Sequence, residues 1–274
     1  MAGEVRRAAV LGSPIAHSRS PQLHLAAYRA LGLSAWTYER VECTAEQLPG
    51  FVGGLGPEWV GLSVTMPGKV AALEFATERT ERAVLVGSAN TLVRTESGWR
   101  ADCTDVDGVR GALVGGGVGT IRGASAIVIG AGGTARPAVL ALAELGVSEV
   151  SIVARSAERA APTVELAGNL GLDARVVDFT LADVSDACAQ AAVVVSTVPA
   201  TAAEPLAAAA RQIPFLLDAI YNPWPTPLAT SVRAAGGIVV SGLDMLLNQA
   251  FGQVEQFTGM PAPKEAMAAA LRES

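Results

Sequence analysis

Residues 124–156, ASAIVIGAGGTARPAVLALAELGVSEVSIVARS, contain the pattern that decides the fold. A run of apolar, largely β-branched residues is followed by a glycine-rich turn. An alanine- and leucine-rich stretch and a second apolar run come next. This order predicts strand, turn, helix and strand, which is the repeating unit of a parallel sheet covered by helices.

The turn itself, GAGGTA at 130–135, matches the spacing G-x-G-x-x-A in that strand-to-helix context. Gly130 permits a tight turn, Gly132 lets the backbone approach a pyrophosphate, and Ala135 is small enough for the helix to pack on the sheet. The first N–H groups of the helix would face the phosphates. We therefore predict a dinucleotide site here, against the alternative of a plain glycine turn.

The residues at the end of the strand that follows the predicted helix indicate which dinucleotide binds. An acidic residue at this point typically takes the ribose hydroxyls of NAD. Here the strand SIVA ends in Arg155 and Ser156, and no acidic residue follows until Glu158. A guanidinium suits a 2′-phosphate, so NADP is favoured over NAD. The alternative is an ordinary surface arginine.

Short β-like runs alternate with helical stretches along the rest of the chain. Strands are predicted at 8–12, 36–42, 59–65, 191–199, 214–220 and 236–242, and helices at 21–31 and 245–257. The glycine-rich segment 111–123 favours a boundary between two halves. We predict an α/β protein with two domains.

Composition excludes several classes of function. The 274 residues are 50% hydrophobic and 17% charged, which is far from a disordered composition. A net charge of −6 offers no basic surface for nucleic acid or an anionic membrane. The three cysteines, Cys43, Cys103 and Cys188, form no CxxC pair, and the N-terminus lacks an apolar core suited to a signal peptide. We expect a cytoplasmic protein without a disulfide framework.

The first strand is followed by GSPIAHSRSP at 12–21. Ser20 before Pro21 predicts a helix N-cap with proline in the first turn. Serine hydroxyls beside free helical N–H groups form an anion site without an arginine. His17 and His24 lie here without a neighbouring cluster of metal ligands, so no metal site is predicted.

Several separated segments together resemble the shikimate dehydrogenases over nearly the whole chain. They are GSPIAHSRSP (12–21), SVTMPGK (63–69), GSANTL (87–92), CTDVDG (103–108), GAGGTAR (130–136), DAIYNPWPTPL (218–228) and GLDMLLNQA (242–250). The resemblance implies reduction of 3-dehydroshikimate to shikimate with NADPH, in chorismate and aromatic amino acid biosynthesis. It also implies that Lys69 and Asp105 form the catalytic acid/base pair.

Further site residues follow from the same resemblance. For the substrate these are Ser18, Ser20, Ser63, Thr65, Lys69, Asn90, Asp105, Tyr221 and Gln249, with the two loop serines on its carboxylate. For the cofactor they are Gly130, Ala131, Gly132, Gly133, Thr134, Ala135, Arg136, Ala154, Arg155, Ser156, Arg159, Thr197, Val198, Pro199, Ile220, Gly242 and Met245.

The resemblance further implies a discontinuous substrate domain of residues 1–104 and 243–274 and a Rossmann-type NADP domain of residues 105–242, with the active site in the cleft between them. Ser63, Cys103 and Ala154 stand where the family commonly has asparagine. Two alternatives stay open: a quinate/shikimate dehydrogenase able to use NAD, and a non-catalytic NADP-binding sensor. The sequence also leaves a homodimer open.

Overall fold

The computed structural model describes residues 5–272. The chain divides into two compact units, one formed by the residues up to Thr104 together with those from Leu246 onward, the other by Asp105–Met245. Within residues 5–272, no helix combines the length and apolar character needed to cross a membrane.

The first unit is built on a six-stranded sheet in the order β2-β1-β3-β5-β6-β4. Its strands are β1 (Arg6–Gly12), β2 (Trp36–Glu42), β3 (Trp59–Val64), β4 (Glu78–Arg79), β5 (Thr91–Thr95) and β6 (Gly98–Asp102). Its first helices are α1 (Ser20–Ala30), α2 (Leu48–Gly53), α3 (Lys69–Phe75) and α4 (Glu81–Val86). Apolar side chains from alternate positions of β1 enter cores on both faces of the sheet.

This sheet is mixed, which strand–helix alternation alone does not predict. β1 lies parallel to β2 and β3, whereas β5 is antiparallel to both β3 and β6. The short turn after Thr95 joins β5 to β6 directly as a hairpin, with no room for a crossover helix, which makes these two strands antiparallel.

The second unit has six strands in the order β9-β8-β7-β10-β11-β12, all parallel. They are β7 (Ser125–Ile129), β8 (Glu149–Ala154), β9 (Asp173–Asp178), β10 (Ala191–Ser196), β11 (Phe215–Asp218) and β12 (Ile238–Ser241). The helices are α5 (Asp105–Gly115), α6 (Ala135–Glu144), α7 (Ala157–Asn169), α8 (Leu181–Cys188), α9 (Ala200–Ala203), a 3₁₀ helix (Glu204–Gln212) and α10 (Pro227–Ala234). This is the doubly wound strand order of dinucleotide-binding folds, so the predicted α/β fold class is confirmed.

The described part of the chain ends with two helices, α11 (Gly242–Thr258) and α12 (Lys264–Arg272). Ala250 and Val254 of α11 and Met267 of α12 pack with Leu23 and Ala27 of α1 in a buried cluster. These contacts place the later part of α11 on the first sheet's unit.

The glycine-rich segment 111–123 does not mark the boundary that its composition favours. Residues 111–115 end α5, and the remaining residues form a loop inside the second unit. Gly116 lies under Val240 and Phe215, where an added Cβ would come within 2.3 Å of a Val240 methyl carbon. Glycine is required there by close packing and not by a hinge between units.

Candidate functional site

The polar residues of the first unit meet at one edge of its sheet. β1 and β3 are parallel, so the loops that follow them leave the same edge of the sheet. β5 runs antiparallel to β3, so its first residues, directly after Asn90, lie at this edge too. β6 runs antiparallel to β5, so Thr104 also follows at this edge. The topology therefore collects four separate stretches of sequence at the edge where open α/β sheets bind ligands.

The serine loop after β1 is buried and held by its neighbours. The Ser18 hydroxyl accepts from the backbone N–H of Ser20 at 3.3 Å, and Arg40 donates to the Ser18 carbonyl at 2.6 and 2.8 Å. Ser18 is 6% exposed and Ser20 4%. Since the Ser18 hydroxyl oxygen is an acceptor here, its proton can be donated to an anion.

The predicted N-cap role of Ser20 is wrong. Helix α1 already begins at Ser20, and the cap position is Arg19, whose side chain makes no capping hydrogen bond. Arg19 has φ −94° and ψ −1°, in the helical region and not in the extended region that capping residues adopt. The Ser20 hydroxyl is therefore not used as a cap.

Lys69 is the first residue of α3 and is half-buried. Its backbone carbonyl accepts from Ala89 N at 2.9 Å, and Gly68 N donates to the Thr65 carbonyl at 2.9 Å, which ties the loop together. A cation at a helix N-terminus opposes the helix dipole. Helix stability therefore does not explain a lysine at this position.

Asn90, Thr104 and Gln249 form a buried hydrogen-bonded cluster. The Asn90 side-chain amide donates to Gln249 Oε1 at 3.1 Å, and its carbonyl accepts from the Thr104 backbone N–H at 2.8 Å. Gln249 in turn donates to the Leu246 carbonyl at 2.9 Å. Asp105 follows Thr104 directly as the first residue of α5. The hydrogen bond from the Thr104 backbone N–H thus fixes the backbone position directly before Asp105.

Ser63 has two protein partners. Its hydroxyl accepts from the Tyr38 hydroxyl at 2.6 Å and donates to Gln253 Oε1 at 2.7 Å. A hydroxyl has one proton and two lone pairs. One lone pair of Ser63 is thus left, and toward a substrate hydroxyl Ser63 can act only as an acceptor.

Asp102 anchors the end of β6 immediately before these residues. Arg82 donates to its two carboxylate oxygens at 2.5 and 2.6 Å, with further bonds from Thr80 at 2.8 Å and Gln256 at 2.7 Å. Burial alone would raise the pKa of Asp102, but the hydrogen bonds and charge of Arg82, with Thr80 and Gln256, outweigh it and lower that pKa.

A pH-dependent stability follows from this anchor. Because the folded pKa of Asp102 lies below the unfolded value of about 3.9, its ionised form stabilises the fold above that pH, and the contribution is lost as pH falls through the folded pKa. Asp102→Asn is expected to lower the free energy of unfolding at pH 7 by about 3 kcal/mol and to flatten its pH dependence below pH ~4. Urea unfolding from pH 3 to 7 measures both.

The matched control is Glu39→Gln, which removes an exposed ion pair with Arg7 in the same unit. Such pairs contribute at most about 1 kcal/mol. Equal losses in the two variants would contradict the anchoring role of Asp102.

In the second unit, the glycine turn lies beside the end of β10. Gly130 has φ +111°, and an added Cβ would lie 2.5 Å from Thr197 Oγ1 and 2.8 Å from a Val198 methyl carbon. The Thr197 hydroxyl donates to the Ile129 carbonyl at 2.9 Å. β7 and β10 are the neighbours at which the strand order reverses, and dinucleotides bind at this switch point.

The turn fits a pyrophosphate. An added Cβ at Gly132 would meet no protein atom within 4 Å, so the space before this backbone is open. Thr134 precedes α6, and its side chain makes no capping hydrogen bond. The N-terminus of α6 can therefore direct backbone N–H groups at phosphate oxygens.

The end of β8 carries the residues predicted to distinguish NADP from NAD. Ala154 is buried as the last strand residue, and Arg155 and Arg159 are exposed. Ser156 caps α7 by accepting from the Arg159 backbone N–H at 3.2 Å. Two exposed arginines thus stand one before and one within the first turn of α7, and arginines at a helix N-terminus favour a phosphate there.

The remaining predicted cofactor residues follow β10, β11 and β12. Val198 and Pro199 come after β10, Ile220 after β11, and Gly242 and Met245 open α11. An added Cβ at Gly242 would lie 2.2 Å from the Ala219 carbonyl oxygen, so only glycine fits there. Tyr221 lies in the loop after β11.

That loop is anchored by Asp218, which the sequence analysis missed. The carboxylate accepts from Thr226 Oγ1 at 2.6 Å and from Ile220 N at 3.2 Å. Burial raises the pKa of Asp218 against these bonds.

Three further residues were missed in the first unit: Tyr38, Thr104 and Gln253. Gln253 follows Gln249 by one helical turn on α11, and this i, i+4 spacing places both side chains on one face. That spacing was the available signal. No sequence signal indicated Tyr38, because the residues that it contacts, Ser63 of β3 and His24 of α1, are distant in the sequence.

Comparisons with known proteins match both units of the chain to one protein family. The family model described as the shikimate dehydrogenase substrate binding domain matches residues 10–92. Those described as shikimate/quinate 5-dehydrogenase and as the shikimate 5′-dehydrogenase C-terminal domain match residues 113–213 and 242–272.

Relatives match over nearly the full length of the chain. A curated protein of Anaeromyxobacter dehalogenans, named shikimate dehydrogenase (NADP(+)), is 38% identical, with 96% of this chain and 94% of that protein covered. The crystal structure of Mycobacterium tuberculosis shikimate dehydrogenase is 62% identical, covers 98% of this chain and 100% of its own, and gives a TM-score of 0.93. The Thermus thermophilus shikimate 5-dehydrogenase, crystallised with NADP(H) and shikimate, is 29% identical over 98% of this chain and 99% of its own, with a TM-score of 0.82.

Proposed function

The chain belongs to the shikimate dehydrogenase family, and we propose that it catalyses the reversible reduction of 3-dehydroshikimate to shikimate with NADPH. The observation that carries this proposal is the collection of the serine loop, Lys69, Asn90 and Gln249 at one edge of the first sheet. Curated relatives named as NADP(+) enzymes support the cofactor. The product would feed aromatic amino acid biosynthesis through chorismate.

Substrate binding uses polar groups with defined donors and acceptors. Ser18 and Ser20 donate to the carboxylate, and the backbone of their loop is held by Arg40. Four residues bind the ring hydroxyls of the substrate: Ser63, Thr65, Asn90 and Gln249. Tyr221 lies close to the substrate. Because an analogue that lacks one hydroxyl leaves such buried groups unpaired, the set discriminates strongly between substrates.

The proton transfer belongs to Lys69 with Asp105. When bound, NADPH supplies the hydride that reduces the ketone carbon. Lys69 gives the proton to the ketone oxygen, and in the oxidation direction it takes the proton from the substrate hydroxyl. Asp105 orients the lysine ammonium and accepts a hydrogen bond from a substrate hydroxyl.

Cofactor binding involves the glycine turn and the end of β8. Residues 130–135 with Arg136 hold the pyrophosphate, and Arg155, Ser156 and Arg159 take the 2′-phosphate. Thr197, Val198, Pro199, Ile220, Gly242 and Met245 line the remainder of the site. Ala154 has no polar side-chain group to offer the adenosine phosphate, so recognition of that group would depend on Arg155, Ser156 and Arg159.

The domain roles follow the same division. Residues 1–104 and 243–274 bind the substrate, and residues 105–242 bind NADP. We place the enzyme in the cytoplasm, in keeping with its three free, buried cysteines. A homodimer stays a prediction, which sedimentation equilibrium checks.

The test is a set of initial rates of reduced-cofactor formation with shikimate or quinate and NADP or NAD. Turnover confined to shikimate with NADP is expected. Comparable rates with quinate or NAD would identify a quinate/shikimate dehydrogenase instead. NADP binding without turnover in any combination would identify a non-catalytic sensor.

A further inference from the structure

Gln253 of α11 is 1% exposed, and both ends of its side-chain amide are hydrogen-bonded. The amide nitrogen donates to the Asn90 carbonyl at 3.1 Å and to Thr91 Oγ1 at 3.0 Å. The amide oxygen accepts from the Ser63 hydroxyl at 2.7 Å and lies 3.3 Å from His24 Nε2. One buried side chain therefore connects α11 to β3, to the start of β5 and to α1.

A main-chain group fixes the orientation of this amide. A backbone carbonyl can only accept a hydrogen bond, so the Gln253 atom that faces the Asn90 carbonyl must be the amide nitrogen. The end that faces Ser63 and His24 is then the amide oxygen. Burial lowers the pKa of His24 to about 3, so its ring is neutral and can carry its proton on Nε2, toward that oxygen.

The fixed amide decides where the proton of Ser63 lies. Two oxygen atoms 2.7 Å apart share a proton, and an amide oxygen has none to give, so Ser63 donates to Gln253. The Tyr38 hydroxyl lies 2.6 Å from the Ser63 hydroxyl. Because the serine proton is already used, Tyr38 must be the donor in that bond. The remaining lone pair of Ser63 can only accept.

We propose that Gln253 determines substrate specificity by holding Ser63 as an acceptor only, so that the substrate must present a hydrogen-bond donor to Ser63. A ring hydroxyl meets this requirement. Fluorine in its place has no proton to give, and its lone pairs would face the lone pair of Ser63, which disfavours the wrong ligand. Gln253 acts through Ser63 and is therefore a positioning residue. The inference rests on the proposed role of Ser63 in binding a ring hydroxyl.

The test compares shikimate with the two analogues in which one non-reacting ring hydroxyl is replaced by fluorine. The measured quantity is the discrimination, the ratio of kcat/KM for shikimate to kcat/KM for the analogue. The wild type is expected to reject one analogue by about 10²-fold, because that analogue leaves Ser63 without a donor. Efficient turnover of both analogues would overturn the proposal.

Gln253→Met removes the amide and keeps the length of the side chain. Ser63 then loses the acceptor that holds its proton and can turn that proton toward fluorine. Discrimination against the rejected analogue is expected to fall about 10-fold, whereas kcat for shikimate stays within about 2-fold. An unchanged discrimination, or an equal fall for both analogues, would overturn the proposal.

Gln253→Glu is the conservative variant. In either protonation state a glutamate has an oxygen that can accept from Ser63, so discrimination is expected to stay within about 2-fold of the wild type. Circular dichroism and thermal unfolding establish that each variant is folded. Should Gln253→Met not fold, Gln253→Glu carries the test, and a 10-fold fall in its discrimination would overturn the proposal.

Gln256→Met, on the same helix, is the control. Gln256 is half-buried, and its hydrogen-bond partners Arg100 and Asp102 belong to β6. Loss of these bonds is expected to lower the melting temperature and to leave the discrimination unchanged. A fall in discrimination equal to that of Gln253→Met would show a general loosening of α11 and overturn the proposal.

The double variant with Ser63→Ala separates action through Ser63 from a structural role. If Gln253 acts through Ser63, Gln253→Met lowers the discrimination in the wild-type background and adds nothing beside Ser63→Ala. An equal fall in both backgrounds would overturn the proposal. Wild-type protein without shikimate turnover would instead refute the proposed function.

Discussion

Replacing Lys69 with alanine is expected to lower kcat for shikimate oxidation by about 10²–10⁴-fold, the usual contribution of a general acid or base. The ammonium is the group proposed to exchange a proton with the substrate oxygen. Its backbone is fixed by the bond from Ala89 N, so the variant removes the side chain from an otherwise anchored position. Initial rates measure the loss.

NADP binding is expected to persist in this variant. The glycine turn and the two arginines proposed to hold the cofactor lie on the other sheet, so calorimetric titration with NADP gives an affinity close to that of the wild type. A parallel loss of NADP affinity and turnover would contradict a proton-transfer role for Lys69.

The chain provides a matched control, because its only other lysine is Lys264. Lys264 lies at the start of α12 with its ammonium 5.2 Å from the centroid of the Phe251 ring. Lys264→Ala is expected to keep kcat within about 2-fold, since this contact is a cation–π interaction at the surface. A fall as large as that of Lys69→Ala would point to a general effect of lost charge.

Arg155→Ala is expected to raise the KM for NADP about 10- to 100-fold, in line with the loss of charge-assisted hydrogen bonds to a phosphate. The KM for NAD is expected to change little because NAD lacks the 2′-phosphate. The variant therefore shifts the ratio of kcat/KM values toward NAD. Steady-state rates with each cofactor at saturating shikimate measure that shift.

The control for this variant is Arg175→Ala. Arg175 is an exposed arginine of β9 whose guanidinium donates to Ser151 at 2.9 Å. It belongs to the same sheet but not to the end of β8, and its loss is expected to leave both KM values unchanged. An equal rise for NAD and NADP in Arg155→Ala would show that Arg155 supports the fold and not the 2′-phosphate.

The dinucleotide turn could be predicted because its requirements are local. Gly130, Gly132 and Ala135 are set by the tight turn, the open space and the start of α6, all within six residues. The alternation of strands and helices likewise depends on neighbours in the sequence. The hairpin of β5 and β6 escaped this pattern because two antiparallel strands need no helix between them.

Ser20 shows where local reasoning ends. A serine before a proline is an ordinary helix start, and nothing in its neighbourhood indicates that the helix already includes it. The loop before it is held by Arg40 of β2, a strand that lies beside β1 only after the sheet has formed. The same holds for Asp102, whose charge is balanced by an arginine 20 positions earlier.

By itself the sequence determined the α/β class, the position of the dinucleotide turn and the residue types at the candidate site, because short-range periodicity and spacing encode them. Only the tertiary structure decided how these residues are used. Ser63 gives its proton to Gln253, 190 positions away, and takes one from Tyr38, 25 positions away. A hydroxyl has a single proton to donate, so its role depends on whichever partner folding brings to it.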